Sequence, residues 1–236
     1  MEGKSIRIIG HSGSLKKSLE NRISDRMIHE ITNDLKSDIT IFLDSRKTPP
    51  IKPPRNSIII RPWKENIIPY NFNNCIELHI RDLLIVDPKG EWGPKDIFDW
   101  GNAIKSSINL NLSDYPVRFW TSKIDLINLI ETLIDIEQIP KFVSIVCSRR
   151  PWTPADTFSE LKMLWRRTSN VKQNKIDVID LEIRKIPLGK SRIQPEQPNL
   201  KKLHEFLKPL NQVGWTPRTP LRISLMECLE KIDDIE

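Results

Sequence analysis

Glycine is scarce in this chain, with 8 residues in 236, about half the share found in ordinary globular proteins. Loops that approach a phosphate closely are usually built with glycine, so few such loops can be present. Long apolar runs are missing too. Nothing approaches the roughly 18 consecutive apolar residues that span a bilayer, and Met1 to Ile9 has no apolar stretch of signal-peptide length. A soluble cytoplasmic protein with no membrane association is therefore expected. Cys75, Cys147 and Cys228 are odd in number, far apart and without metal-ligand spacing. That argues against a disulfide scaffold or a zinc site, and for buried reduced thiols. The four histidines (His11, His29, His79 and His204) fit no Ser/His/Asp order and no metal cluster. His11, in the first glycine turn, is the best placed of them for a base.

Proline, by contrast, is abundant at 18 residues, and the net charge is +6. A positive protein suits an anionic partner, but the lysines and arginines alternate with acids, as in Glu182-Ile-Arg-Lys185. A solvated basic surface is the simpler reading. Aromatic–basic interleaving is limited to Arg61-Pro-Trp63-Lys64 and Trp165-Arg-Arg167. A basic protein that binds nucleic acid remains a rival reading, though a disfavoured one.

Ser5-Ile-Arg-Ile-Ile9 reads as a strand entering a turn at Gly10. Leu15, Leu19, Ile23, Met27 and Ile31 place a helix after it. Asp38 to Asp44, Ser57 to Arg61, Leu83 to Val86 and Phe142 to Cys147 read as further strands. Helices are expected over 96–108, 122–134, 157–168, 200–207 and 221–232. The four prolines of residues 45–56 make that segment a loop, and 187–198 reads as a surface connector. Strands with near-continuous apolar centres, alternating with helices, predict one α/β domain over 1–236. It is a Rossmann-like, mostly parallel sheet with helices on both faces. Residues 1–110 form a reduced nucleotide-binding core, and 111–236 add a small C-terminal lobe.

Gly10-His-Ser-Gly13-Ser-Leu-Lys16 stands between the first strand and the first helix. That is the setting in which a turn brings a pyrophosphate onto a helix N-terminus. Gly10, Ser12, Gly13, Ser14 and Leu15 are the candidate cofactor-binding residues; Lys16 occupies the third glycine of the fingerprint. An acid about 20 residues on is expected to hold a ribose hydroxyl, and Glu30 and Asp34 are near that distance.

Four later segments carry a family resemblance. Glu91-Trp-Gly-Pro-Lys-Asp96 resembles the "vyGPgd" segment of the extended short-chain dehydrogenases, the NAD-dependent nucleotide-sugar epimerases and dehydratases. Arg118-Phe-Trp-Thr-Ser-Lys-Ile-Asp125 is similar to their "RdFvyVdD", and Val143 to Leu161 to "vyNig.g..wt..el". Val213-Gly-Trp-Thr-Pro-Arg-Thr-Pro-Leu221 is similar to "lGw.PkT.L". The resemblance spans roughly 5–44 and 83–232, with the pieces in family order. It implies an NAD(P) cofactor, a nucleotide or nucleotide-sugar ligand, and Arg118 as a contact to the ligand's diphosphate, a role that a bidentate guanidinium suits. Arg149-Arg150 follows a strand end, where ligands of open α/β sheets gather. Asp125 is expected to begin or cap its helix, and Trp215 to anchor the core.

The family's Tyr-x-x-x-Lys, in which lysine lowers the pKa of the tyrosine acid/base, has no counterpart. Tyr70 has Asn74 at the lysine position, Tyr115 belongs to another segment, and 62–76 is too short for the catalytic helix. A strand–helix unit before Asp38 is missing as well. No catalytic residue is assigned. The expectation is a non-catalytic relative that keeps nucleotide binding or serves a protein partner. The rival is an active epimerase, dehydratase or reductase with a substitute acid/base.

Overall fold

The computed structural model describes residues 3–10, 13–44, 56–70, 72–172 and 196–233. Six strands form one parallel sheet: β1 (Ser5–Gly10), β2 (Glu30–Ile31), β3 (Ile39–Leu43), β4 (Ser57–Pro62), β5 (Cys75–Ile80) and β8 (Phe142–Val146), in the order β2-β1-β3-β4-β5-β8. A side pair, β6 (Leu83–Leu84) with β7 (Thr121–Ser122), is also parallel. The helices are α1 (Ser14–Arg26), α2 (Asp96–Lys105), α3 (Lys123–Ile134), α4 (Pro154–Lys172), α5 (Lys201–Asn211) and α6 (Leu221–Asp233).

Strand alternation sorts the core. Ile6, Ile8, Ile41, Ile58, Ile60, Ile76 and Leu78 point to one face and are buried against Leu19 of α1, Leu129 and Leu133 of α3, and Leu203 of α5. Each such side chain contributes about 1.5–3 kcal/mol when fully withdrawn from water. The opposite face holds a smaller cluster of Phe42, Ile59 and Cys75, packed by Ile9, Tyr70 and Phe72. Among the described residues no helix joins that cluster. A third cluster, around Leu84, Trp100, Trp120, Leu161 and Leu229, builds a lobe from α2, α4, α6 and the side pair.

Several expectations need correction. The strand within Asp38–Asp44 is Ile39–Leu43, the third in chain order. Glu30–Ile31, absorbed into the helix in the sequence reading, pairs with β1 at the sheet edge, and two residues are too few to show a period. Helix α1 ends earlier, with Met27 in the left-handed region at φ 52°. The strand that follows β4 in the sheet is Cys75–Ile80, and Leu83–Leu84 belongs to the side pair. The expected contraction is visible in the strand order. Doubly wound sheets commonly run 3-2-1-4-5-6; here, among the described residues, no strand lies outside β2. Residues 63–70 and 72–74 contain no helix, as the short spacing required. Burial pushes all three cysteine thiols up to about 12, consistent with inert reduced side chains.

Candidate functional site

The sheet changes direction between β1 and β3, because the chain leaves β1 for one neighbour and returns on its other side. Ligands of open α/β sheets bind outside the carboxyl ends of the strands at such a point. Gly10 ends β1 there with φ at 104°, and a side chain on it would collide with the Leu43 carbonyl of β3. Gly10→Ala is expected to cost at least about 1–2 kcal/mol, the strain of a left-handed alanine, read as a lowered Tm. Gly13 caps α1 in extended backbone (φ −159°) without a side-chain hydrogen bond, and the first turn holds no acid. The α1 N-terminus therefore presents its amides and its positive dipole end to the crevice. Ser14 is exposed beside it. The Leu15 side chain is buried in the core, which leaves its amide for a ligand. Ser12 and His11 lie outside the described residues. Lys16 pairs with Glu20 at 3.8 Å. Glu30 opens β2 and is exposed; Asp34 lies just past the end of that strand and accepts from the Lys36 amide at 3.0 Å.

Beyond the switch point, the ends of β3, β4 and β5 converge on a buried polar network that the sequence reading missed. Asp44 accepts the Tyr70 hydroxyl at 2.6 Å. Arg61 reaches Asp44 at 3.6 Å through Nε and Glu77 at 2.8 Å through Nη1, and lies 4.2 Å from the Tyr70 ring centre. Glu77 also accepts the Tyr70 amide at 2.7 Å and His79 Nε2 at 2.6 Å. Burial alone would raise the Glu77 pKa, but the hydrogen bonds from His79 and Arg61 hold it below its ordinary value. Burial, and then the bond to Asp44, push the Tyr70 phenol well above its ordinary 10, and the nearby Arg61 only partly opposes this.

Arg118, the expected diphosphate contact, is otherwise engaged. Its Nε and Nη2 donate to the two oxygens of Asp96 at 2.8 and 2.9 Å, and its Nη1 donates to Asp82 at 3.1 Å. Asp82 also takes the Phe119 amide at 2.8 Å. All three guanidinium nitrogens face carboxylates of the protein, so the arginine is an internal tie between α2 and the β7 approach. Asp125 does not cap α3; Ser122 does, accepting from the Ile124 amide at 3.2 Å. Asp125 lies in the first turn and holds the loop before α6, through the amides of Arg218 and Thr219 at 3.1 and 3.2 Å and the Thr219 hydroxyl at 2.9 Å. Trp215 is the expected core anchor, its indole N–H donating to Cys147 at 2.8 Å.

Solved structures share this fold. RMD of Pseudomonas aeruginosa, complexed with NADPH, superposes with a TM-score of 0.57 over 98% of each chain at 11% identity. The dTDP-glucose 4,6-dehydratase of Bacillus anthracis, in complex with NAD, also gives 0.57, over 98% of this chain and 97% of that one, at 9% identity. The UDP-glucose 4-epimerase of Thermotoga maritima, with UDP-glucose, gives 0.57 over 98% and 99%, at 9% identity. The fold is that of the NAD-dependent epimerases and dehydratases. No family model and no curated protein matches the sequence. In the epimerase/dehydratase fold of this chain, the segment between β4 and β5 carries Tyr70 on coil, tied to Asp44.

Proposed function

We propose that this chain binds a nucleotide at the β1–α1 turn and does not turn it over. The observation that carries the reading is the inverted environment of Tyr70. An acid/base tyrosine at neutral pH needs a cation to lower its pKa, whereas desolvation and the carboxylate of Asp44 raise that of Tyr70. Its proton is already donated within the fold. His79 and Glu77 offer no substitute, being 4% and 1% exposed and bonded to each other. An active epimerase, dehydratase or reductase with a substitute base finds no support in these groups.

Binding is supported by the Gly10 turn and the acid-free α1 N-terminus at the switch point. Gly10, Gly13, Ser14 and Leu15, with Ser12, would hold a pyrophosphate through backbone amides, in the manner expected for NAD(P). The nicotinamide supplies hydride transfer when bound; in this chain no tyrosine is poised to use it. A nucleotide sugar is the second ligand class, and service to a protein partner is compatible with both.

A ligand present at about 100 times its Kd stabilises by about 2.7 kcal/mol. Millimolar NAD, NADP or a UDP-sugar is therefore expected to raise Tm by several degrees. Gly13→Glu, which puts a carboxylate at the α1 N-terminus, is expected to abolish that rise. An unchanged Tm across the whole panel, or a rise that survives Gly13→Glu, sinks the turn site. NADH appearing during incubation with NAD and a UDP-sugar would sink the non-catalytic reading.

A further inference from the structure

A second electropositive concavity opens at the far edge of the sheet. Ser148, Arg149 and Arg150 follow β8, and they face the loop at Thr216–Thr219 across a cavity of about 290 Å³. Arg149 also borders a neighbouring hollow of about 460 Å³, shared with Lys201 and His204. From β1 to β8 the sheet takes four strand-to-strand steps, about 19 Å. The groove is therefore separate from the β1–α1 turn.

Its two arginines are treated unlike others in the chain. Arg61, Arg118 and Arg222 each pair with an acid. Arg149 donates through one nitrogen only, to His204 Nδ1 at 3.2 Å and the Trp215 carbonyl at 3.1 Å. Arg150 lies 4.0 Å over the Trp152 ring. Both are exposed, and among the described residues neither pairs with a carboxylate. The one acid lining the cavity, Asp125, is buried and spends its oxygens on the Arg218 and Thr219 donors. The walls thus combine guanidinium groups, serine and threonine residues, and two tryptophans, Trp120 and Trp152. Guanidinium beside hydroxyl donors is the chemistry that recognises phosphate.

We propose that this groove is an anion-binding site for a phosphate-bearing small ligand, with Arg149 and Arg150 as its phosphate contacts. Trp152 stiffens Arg150 by stacking, so less side-chain freedom is lost on binding. The walls suit a nucleoside diphosphate or free pyrophosphate. A tryptophan that also holds the nucleoside ring makes UDP the tighter of the two; equal affinities place the free anion there.

The test is calorimetric titration at physiological salt with inorganic pyrophosphate and with UDP. Arg149→Gln and Arg150→Gln are each expected to weaken pyrophosphate binding tenfold or more. Arg222→Gln removes the same charge from a paired surface arginine, and is expected to change binding less than twofold. Among the described residues the Arg150 side chain makes no hydrogen bond, its backbone carbonyl alone accepting from Ser148 at 3.2 Å, so a folding defect in Arg149→Gln leaves the Arg150→Gln result decisive. Equal losses in Arg222→Gln reduce the effect to net charge and overturn the proposal, as does the absence of any pyrophosphate binding. Loss confined to Gly13→Glu assigns the anion to the β1–α1 turn instead, which overturns this site and leaves the other standing.

Discussion

Glu77→Gln is expected to unfold at a markedly lower urea concentration than the parent at pH 7. The change removes a charge that lies against Arg61 and His79 at 2.8 and 2.6 Å in a site 1% exposed. Deleting one member of a buried ion pair costs about 3–5 kcal/mol, because the partner is left charged in a poor solvent. Asp44 still stands 3.6 Å from Arg61, so a loss near about 3 kcal/mol is expected. The loss also has a pH signature. The folded-state pKa of Glu77 lies below its ordinary 4.5, so the carboxylate stabilises fully above that pH and ever less as the pH falls through its folded value. The gap between parent and variant should then narrow on acidification below about pH 4.5. A gap of less than 1 kcal/mol at pH 7, or one that acid leaves unchanged, would remove Glu77 from the centre of the network.

Much of this fold was legible from sequence, and for identifiable reasons. Ile39–Leu43, Ser57–Pro62 and Phe142–Val146 are apolar runs bounded by turn residues, and each became a sheet strand. Gly-Trp-Thr-Pro at 214–217 signalled a packed corner, and Trp215 is 4% exposed. Two-residue strands such as Glu30–Ile31 and Leu83–Leu84 carry no periodicity, and only their partners define them. The polar network was missed for a different reason. Its members Asp44, Arg61, Tyr70, Glu77 and His79 are spread over 36 positions, and what joins them is parallel strand register, Arg61 lying beside His79 and Ile59 beside Glu77. One signal was available. In Cys75-Ile-Glu-Leu-His-Ile80 the polar residues Glu77 and His79 alternate with isoleucine and leucine, so they had to share one sheet face. With coil at 63–70 and 72–74, a polar row on that face needs internal partners. The network provides them and fixes Tyr70 in the process.

Arg118→Leu is expected to show whether Arg118 serves the fold or a ligand. A diphosphate contact is lost from the ligand's affinity while the empty protein keeps its stability. The structure predicts the reverse. Asp96 and Asp82 have side chains 7% and 8% exposed, and the fork of Arg118 holds both. Without it, Asp96 loses the cation that grips both its oxygens, and Asp82 keeps only the cation of Arg81, at 3.6 Å. The N-terminus of α2 offsets part of this at Asp96, by about 0.3–1 kcal/mol. A net loss of about 3–5 kcal/mol is expected in urea titration. Arg118→Lys should recover little of it, since an ammonium cannot reproduce two parallel bonds to one carboxylate. Arg118→Leu combined with Asp96→Leu should recover more than half, because an apolar pair of matching volume is often as stable as the ion pair it replaces. A variant as stable as the parent but several-fold weaker in UDP-sugar binding would restore Arg118 to the ligand. The opposite result leaves the groove at Arg149 and Arg150, whose guanidinium groups pair with no acid among the described residues, as the proposed arginine site for phosphate.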